Sequence, residues 1–168
     1  RLQQMLLSID TILDMQQLGG RLSLAETVEI WGTDWDPVYL AEAQAKWGDT
    51  EEWAESARRK ARMTRADWEQ AHSETVALET ALAEAMHSGV EPGSPEANAL
   101  ARWHRKDLNR WFEVSTSKQV VIARSYVADE RYARYYDKRA PGLAAWLKDV
   151  IDAGARSEGV EPATATWE

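Results

Sequence analysis

The residues best suited to hold a ligand lie between Trp103 and Gly142. That run carries Trp103, Trp111, Phe112, Tyr126, Tyr132, Tyr135 and Tyr136, and the polar patch Ser115-Thr116-Ser117 sits between two helical patterns inside it. Rigid aromatic walls broken by a few hydroxyl and amide groups are what a pocket for a flat organic molecule requires. The same side chains would serve an ordinary core equally well. Nine tryptophans against one phenylalanine in 168 residues exceed what a small core needs, which favours a ligand for some of them. The candidate walls are Trp103, Trp111, Phe112, Tyr126, Tyr135, Tyr136 and Trp68, with Ser115, Thr116 and Gln119 as polar contacts. Trp146 is the weakest candidate, because its spacing with Leu143, Leu147 and Val150 is that of a core residue.

Other chemistries find little support. There is no cysteine, which excludes disulfides, thiolate metal sites and thiol nucleophiles from these residues. Glu69-x-x-His72 has the spacing of one half of a di-iron site, but that site needs two such motifs and two further glutamates. A hydrogen-bonded structural histidine is the better reading of His72, and a structural network the better reading of His104-Arg105 with Asp107. No glycine-rich phosphate loop, metalloprotease motif or nucleophile elbow occurs, and Ser115 or Ser117 has no evident base. No catalytic residue, metal or cofactor is therefore expected. The net charge of −8 opposes phosphate-backbone binding by these residues.

The elements that must position the aromatic run read as helices throughout. Residues 1–18 form an amphipathic stripe ended by Gly19-Gly20. It suits either the end of a dimerisation coiled coil or a helix folded back on the domain. Ser23 with Glu26 caps a short helix to Trp31, and Asp34 or Asp36 caps another that starts at Pro37 and ends at Trp47. Asp49-Thr50 opens a helix to Ala61, and Thr64 with Asp67 opens the longest, over 65–87. Ser94-Pro95 starts a helix that reaches Phe112, and the Ser/Thr patch starts one that reaches Tyr126. Asp129 caps an aromatic helix to Asp137, and Ala140-Pro141-Gly142 opens the last. Residues 157–168 show no pattern and are expected to be a flexible tail. No strand pattern, fixed-period repeat or membrane-spanning run is found, and RLQQMLLSID lacks the features of a signal peptide. The start at Arg1, in mid-pattern, suggests a piece of a longer chain, and a cytoplasmic location is expected.

Several segments, in one colinear order over about residues 24–155, resemble the TipAS-type antibiotic-recognition domain of MerR-family transcription regulators. They are Trp35-Asp36-Pro37-x-Tyr39, then Glu42 through Lys46-Trp47-Gly48-x-Thr50-x-x-Trp53-x-x-Ser56, and Met63-Thr64-x-x-Asp67-Trp68. His104-Arg105, Tyr126-Val127-Ala128-Asp129-x-Arg131-Tyr132 and Ala140-Pro141-Gly142-Leu143-Ala144 complete the set. The resemblance implies an all-α, globin-like domain over 24–156 that binds a bulky antibiotic-like molecule or peptide. It implies a homodimer through residues 1–18, a linker at 19–23, and promoter DNA bound only by an upstream domain outside this sequence. Family members that trap thiostrepton use a cysteine after the His-Arg pair, and the corresponding position here is Val114. Thiol capture is thus excluded, and ligands other than thiopeptides stay open.

Short N-terminal helices with one-sided apolar faces could close over a ligand seated on the later helices. Two rival readings stand beside a non-catalytic domain that senses or sequesters an antibiotic: a helical protein-interaction module whose aromatics are core and interface, and an enzyme with an unrecognised acid/base pair.

Overall fold

The computed structural model of the chain describes residues 37–168. The expected helices at 1–18 and 23–31, the linker at 19–23 and the dimer contact lie outside the described residues. Within them the protein is all-α, as the sequence predicts, with seven helices and no strand. These are α1 (Pro37–Trp47), α2 (Glu51–Ala61), α3 (Arg65–His87), α4 (Pro95–Leu108), α5 (Thr116–Ala128), α6 (Glu130–Asp137) and α7 (Leu143–Ser157).

The chain divides into two compact units, residues 1–73 and 74–168, and α3 runs across the division. In the first, local contacts define the helices. The Thr50 hydroxyl accepts from the Trp53 N–H at 3.3 Å to start α2, and donates to the Trp47 carbonyl at 2.6 Å to finish α1. Thr64 and Asp67 exchange bonds across the first turn of α3, at 2.8 and 3.2 Å. Along α2, Arg58 meets Glu51 and Glu55, both at 2.7 Å, and Arg59 meets Glu55 at 2.8 Å. None of the residues of α2 is buried.

The second unit is built on burial. Leu143, Leu147 and Ile151 repeat along one face of α7, and all three are at most 1% exposed. They join Leu78 and Leu82 of α3, Val120, Ala123 and Tyr126 of α5, and Tyr136 of α6 in one apolar cluster. α7 packs against α4, α5 and α6. Its approach to α4 is close enough that a Cβ on Gly154 would stand 3.1 Å from the Ala101 methyl. The start of α7 is capped by a remote group: the Asp137 carboxylate accepts from the Ala144 N–H at 3.0 Å.

Two expectations are corrected. Helix α4 stops at Leu108, not Phe112, because the Asn109 side chain closes the chain on itself. Its Nδ2 donates to the carbonyls of Arg105 (2.8 Å) and Val114 (3.1 Å), while its Oδ1 accepts from the Val114 N–H at 2.9 Å. The second correction is residues 158–168, which are docked rather than a loose tail. Val160 and Ala165 pack on the core, and Arg124 donates to the carbonyls of Pro162 and Ala165, both at 2.8 Å. Irregular backbone of this kind has no hydrophobic period to reveal it.

Candidate functional site

The α4–α5 connection carries the site. Ser94 caps α4 by accepting from the Ala97 N–H at 3.2 Å, with Pro95 at the first helical position. Ser115 caps α5 in the same way, accepting from the Lys118 N–H at 3.1 Å. The Asn109 clamp leaves Trp111 and Phe112 on the connecting loop, both partly exposed, and turns Val114 inward, 4% exposed. Val114 is therefore a buried apolar loop residue.

The remaining candidate residues separate into two sets. Gln119, Tyr126 and Tyr136 are buried and lie in a polar chain inside the second unit. The Gln119 Nε2 donates to the Ala101 carbonyl at 2.8 Å and lies 2.9 Å from the His104 Nδ1. A carbonyl can only accept, so the amide orientation is fixed and the His104 Nδ1 must be the acceptor. The proton then sits on the His104 Nε2, which faces the Tyr126 hydroxyl at 3.1 Å. Burial pushes the His104 pKa down to about 4, so the ring is neutral near pH 7. The Tyr126 and Tyr136 rings stand 4.9 Å apart with their hydroxyls in contact, and burial raises both pKa values. These groups are occupied with one another, and His104 is structural as expected, but its partners are Gln119 and Tyr126; Asp107 pairs instead with Arg110 and Thr75. Trp68, on α3, is also buried.

Trp103, Trp111, Phe112 and Tyr135 remain at least partly exposed. Trp103 stands 39% exposed on α4 and Tyr135 47% on α6. The Tyr135 hydroxyl donates to the buried Glu79 carboxylate, which also meets Arg139 at 2.7 Å. Burial and the Glu79 charge push the Tyr135 pKa up. Phe112, Ser115 and Thr116 are brought together, and the Thr116 hydroxyl accepts from Arg105 and donates to Glu158, both at 2.6 Å. Arg105 clasps Glu158 with both terminal nitrogens, at 2.8 and 3.1 Å, which holds that carboxyl below its usual range.

Sequence reasoning missed Glu158, Arg124, Lys118 and Trp167. The Trp167 ring lies 6.2 Å from Phe112, with the Lys118 ammonium 5.5 Å from its centre. A tryptophan in a supposedly loose segment was the available signal. Among the described residues, no group of three His, Asp or Glu side chains is placed to hold a metal ion, and no helix is long and apolar enough to cross a membrane.

The described residues thus form an all-α domain that leaves several aromatic side chains exposed, a surface suited to recognition. Comparison with known proteins makes that specific. The family model of the TipAS antibiotic-recognition domain matches residues 39–153. The HTH-type transcriptional activators TipA of Streptomyces coelicolor and of Streptomyces lividans are each 30% identical over 157 residues, covering 92% of this chain. The chain spans 62% of the length of either relative. A solved structure of TipAS from Streptomyces lividans in complex with nosiheptide, from a thiopeptide antibiotic multidrug resistance system, superposes with a TM-score of 0.75. It is 30% identical, and the match covers 83% of this chain and 99% of that one. The chain belongs to the TipAS antibiotic-recognition domain family.

Proposed function

We propose that the domain binds a bulky, heteroaromatic, peptide-like antibiotic non-covalently, and that it does so as the cytoplasmic, non-catalytic effector domain of a MerR-type transcription regulator. The observation that carries this reading is the match, over nearly the whole of the solved chain, to a TipAS bound to nosiheptide. Promoter DNA falls to a separate upstream domain, as the relatives' helix-turn-helix designation and greater length support. Dimerisation through residues 1–18 completes the reading. With no thiol in the sequence, capture is reversible.

Trp103, Trp111, Phe112 and Tyr135 offer apolar contact, and Ser115 and Thr116 polar contact. Gln119, Tyr126 and Tyr136 support that wall from within the second unit, and Trp68, buried in the first, is a further candidate. Titration with nosiheptide should quench or shift the tryptophan fluorescence, and Trp111→Ala should weaken binding by about 1–3 kcal/mol while the domain stays folded. A flat titration with nosiheptide and with a panel of other antibiotics would overturn the proposal. Unfolding by Trp111→Ala would move the wall elsewhere.

A further inference from the structure

An exposed tyrosine on a helix ordinarily keeps its ring against the protein and its hydroxyl in water. Tyr135 is arranged the other way. The residue is 47% exposed, yet its hydroxyl donates inward to Glu79, a carboxylate on α3 that is itself only 5% exposed. The exposure of Tyr135 therefore falls on the ring rather than on the hydroxyl. The second Glu79 oxygen meets Arg139 at 2.7 Å. That pairing compensates a charge that would be costly to bury alone. An ionised carboxylate can only accept, so the phenol proton is committed to it. On the protein side the ring stands edge-to-face with the buried Tyr136, the centroids 5.1 Å apart and the planes at 85°. All four residues belong to the second unit.

A ring tied at its tip by a charge-assisted hydrogen bond, and along its side by a second ring, has little freedom left. Little ordering is then lost when a ligand stacks on it. The same hydrogen bond has an electronic effect. A phenol that donates to a carboxylate carries more negative charge in its π cloud than one bonded to water, and such a ring favours cations and electron-poor partners. We propose that Glu79 is a positioning residue for the ligand wall: braced by Arg139, it fixes the Tyr135 ring and enriches its exposed surface, so that the wall selects flat, electron-poor heteroaromatic rings over electron-rich ones of the same size. This rests on the antibiotic-binding reading above, in which Tyr135 is a wall residue, and adds to it a basis for choosing among rings. Glu79 acts through Tyr135 and does not itself touch the ligand.

The test uses the full chain and two probes of one size and shape: quinoxaline-2-carboxamide, whose ring is electron-poor, and naphthalene-2-carboxamide, whose ring is not. Each is titrated to millimolar concentration and followed by the backbone amide NMR signals of residues 134–137. The unsubstituted chain should bind the quinoxaline about threefold to tenfold more tightly, the range that an aromatic pair supplies. Tyr135→Phe keeps the ring and the Glu79–Arg139 pair but removes the hydroxyl. Glu79→Gln keeps an acceptor but removes the charge. Both should bring the two probes to near parity and weaken nosiheptide by a similar factor. Equal affinities in the unsubstituted chain, or a full preference that survives either substitution, would overturn the proposal. A merely structural Glu79 would lower the melting temperature and leave the ratio of the two affinities where it was. Should Glu79→Gln fail to fold, Tyr135→Phe decides alone. Failure of the unsubstituted chain to bind nosiheptide would sink the antibiotic reading, and the probe ratio would still decide what Glu79 does at Tyr135.

Discussion

Helices α2 and α7 show two ways of holding a helix. Along α2 the stabilising groups are a threonine cap and ion pairs between solvated side chains, and no residue is buried. α7 carries eight buried residues and borrows its cap from Asp137, outside its own sequence. Surface ion pairs contribute little and weaken with salt, whereas buried leucines carry most of the stability of a small domain. Of these two helices, then, α7 is held by burial, while α2 carries no buried residue. A recognition domain needs both: a fixed wall, and elements whose ordering a ligand can shift.

The largest effect expected on that contrast comes from Leu147→Ala. Leu147 is fully buried in α7, so truncation should cost about 2–5 kcal/mol in urea unfolding. Trp47→Ala, at a residue 40% exposed at the end of α1, should cost no more than about 1 kcal/mol despite removing a larger side chain. Equal costs would break the comparison.

A second test uses pH. His104 has a folded pKa of about 4 against an ordinary 6.5, because charging it would bury an unpaired cation. As pH falls through 6.5 the unfolded chain takes up this proton and the folded chain does not. The stability is thus intact above pH 6.5 and is lost progressively toward pH 4, on the order of 3 kcal/mol at the acid end. Glu158, depressed by Arg105, loses stability in the same direction as it protonates. The two are separated by NMR: the His104 ring signals should not titrate above about pH 5, and a midpoint near the ordinary value would show the ring to be solvated.

Why some of this was legible and some was not follows from where each signal resides. Thr50, Thr64, Ser94, Ser115 and Asp129 all cap helices as their sequence positions predict, because a cap is decided within a few residues. The end of α4 was misread because Trp111 and Phe112 continue an apolar pattern that only the Asn109 side chain interrupts. Aromatic type could not separate wall from core. Tyr126 is buried because His104, 22 positions earlier, offers its hydroxyl a partner, and Tyr135 is exposed one residue before the buried Tyr136. Residues 158–168 were illegible for the same reason: Arg105, Ser115, Thr116 and Arg124 hold them from far away in the sequence.

Hydrogen exchange sharpens the contrast in the presence of a ligand. If the N-terminal helices close over bound antibiotic, nosiheptide should raise amide protection across 37–61 and leave the buried stretch of α7 nearly unchanged. Unaltered exchange over 37–61 would confine recognition to the second unit. The expected helix at 23–31, outside the described residues, can be followed in the same experiment.

The smallest effect discriminates most finely between the two modes of support. Thr50→Ala removes the group that caps α2 and also ties off α1, at 3.3 and 2.6 Å. A lost cap costs about 1 kcal/mol, which is roughly a fivefold rise in local opening. If α2 stands on local contacts, that rise should show as faster amide exchange over 51–61, with exchange in α4, α5 and α7 unaffected. Should the same substitution instead accelerate exchange evenly along the whole chain, α2 would be opening together with the core. The ion pairs of Arg58 and Arg59 would then be accessories to a tertiary contact, and the division of labour between a fixed wall and adjustable helices would have to be redrawn.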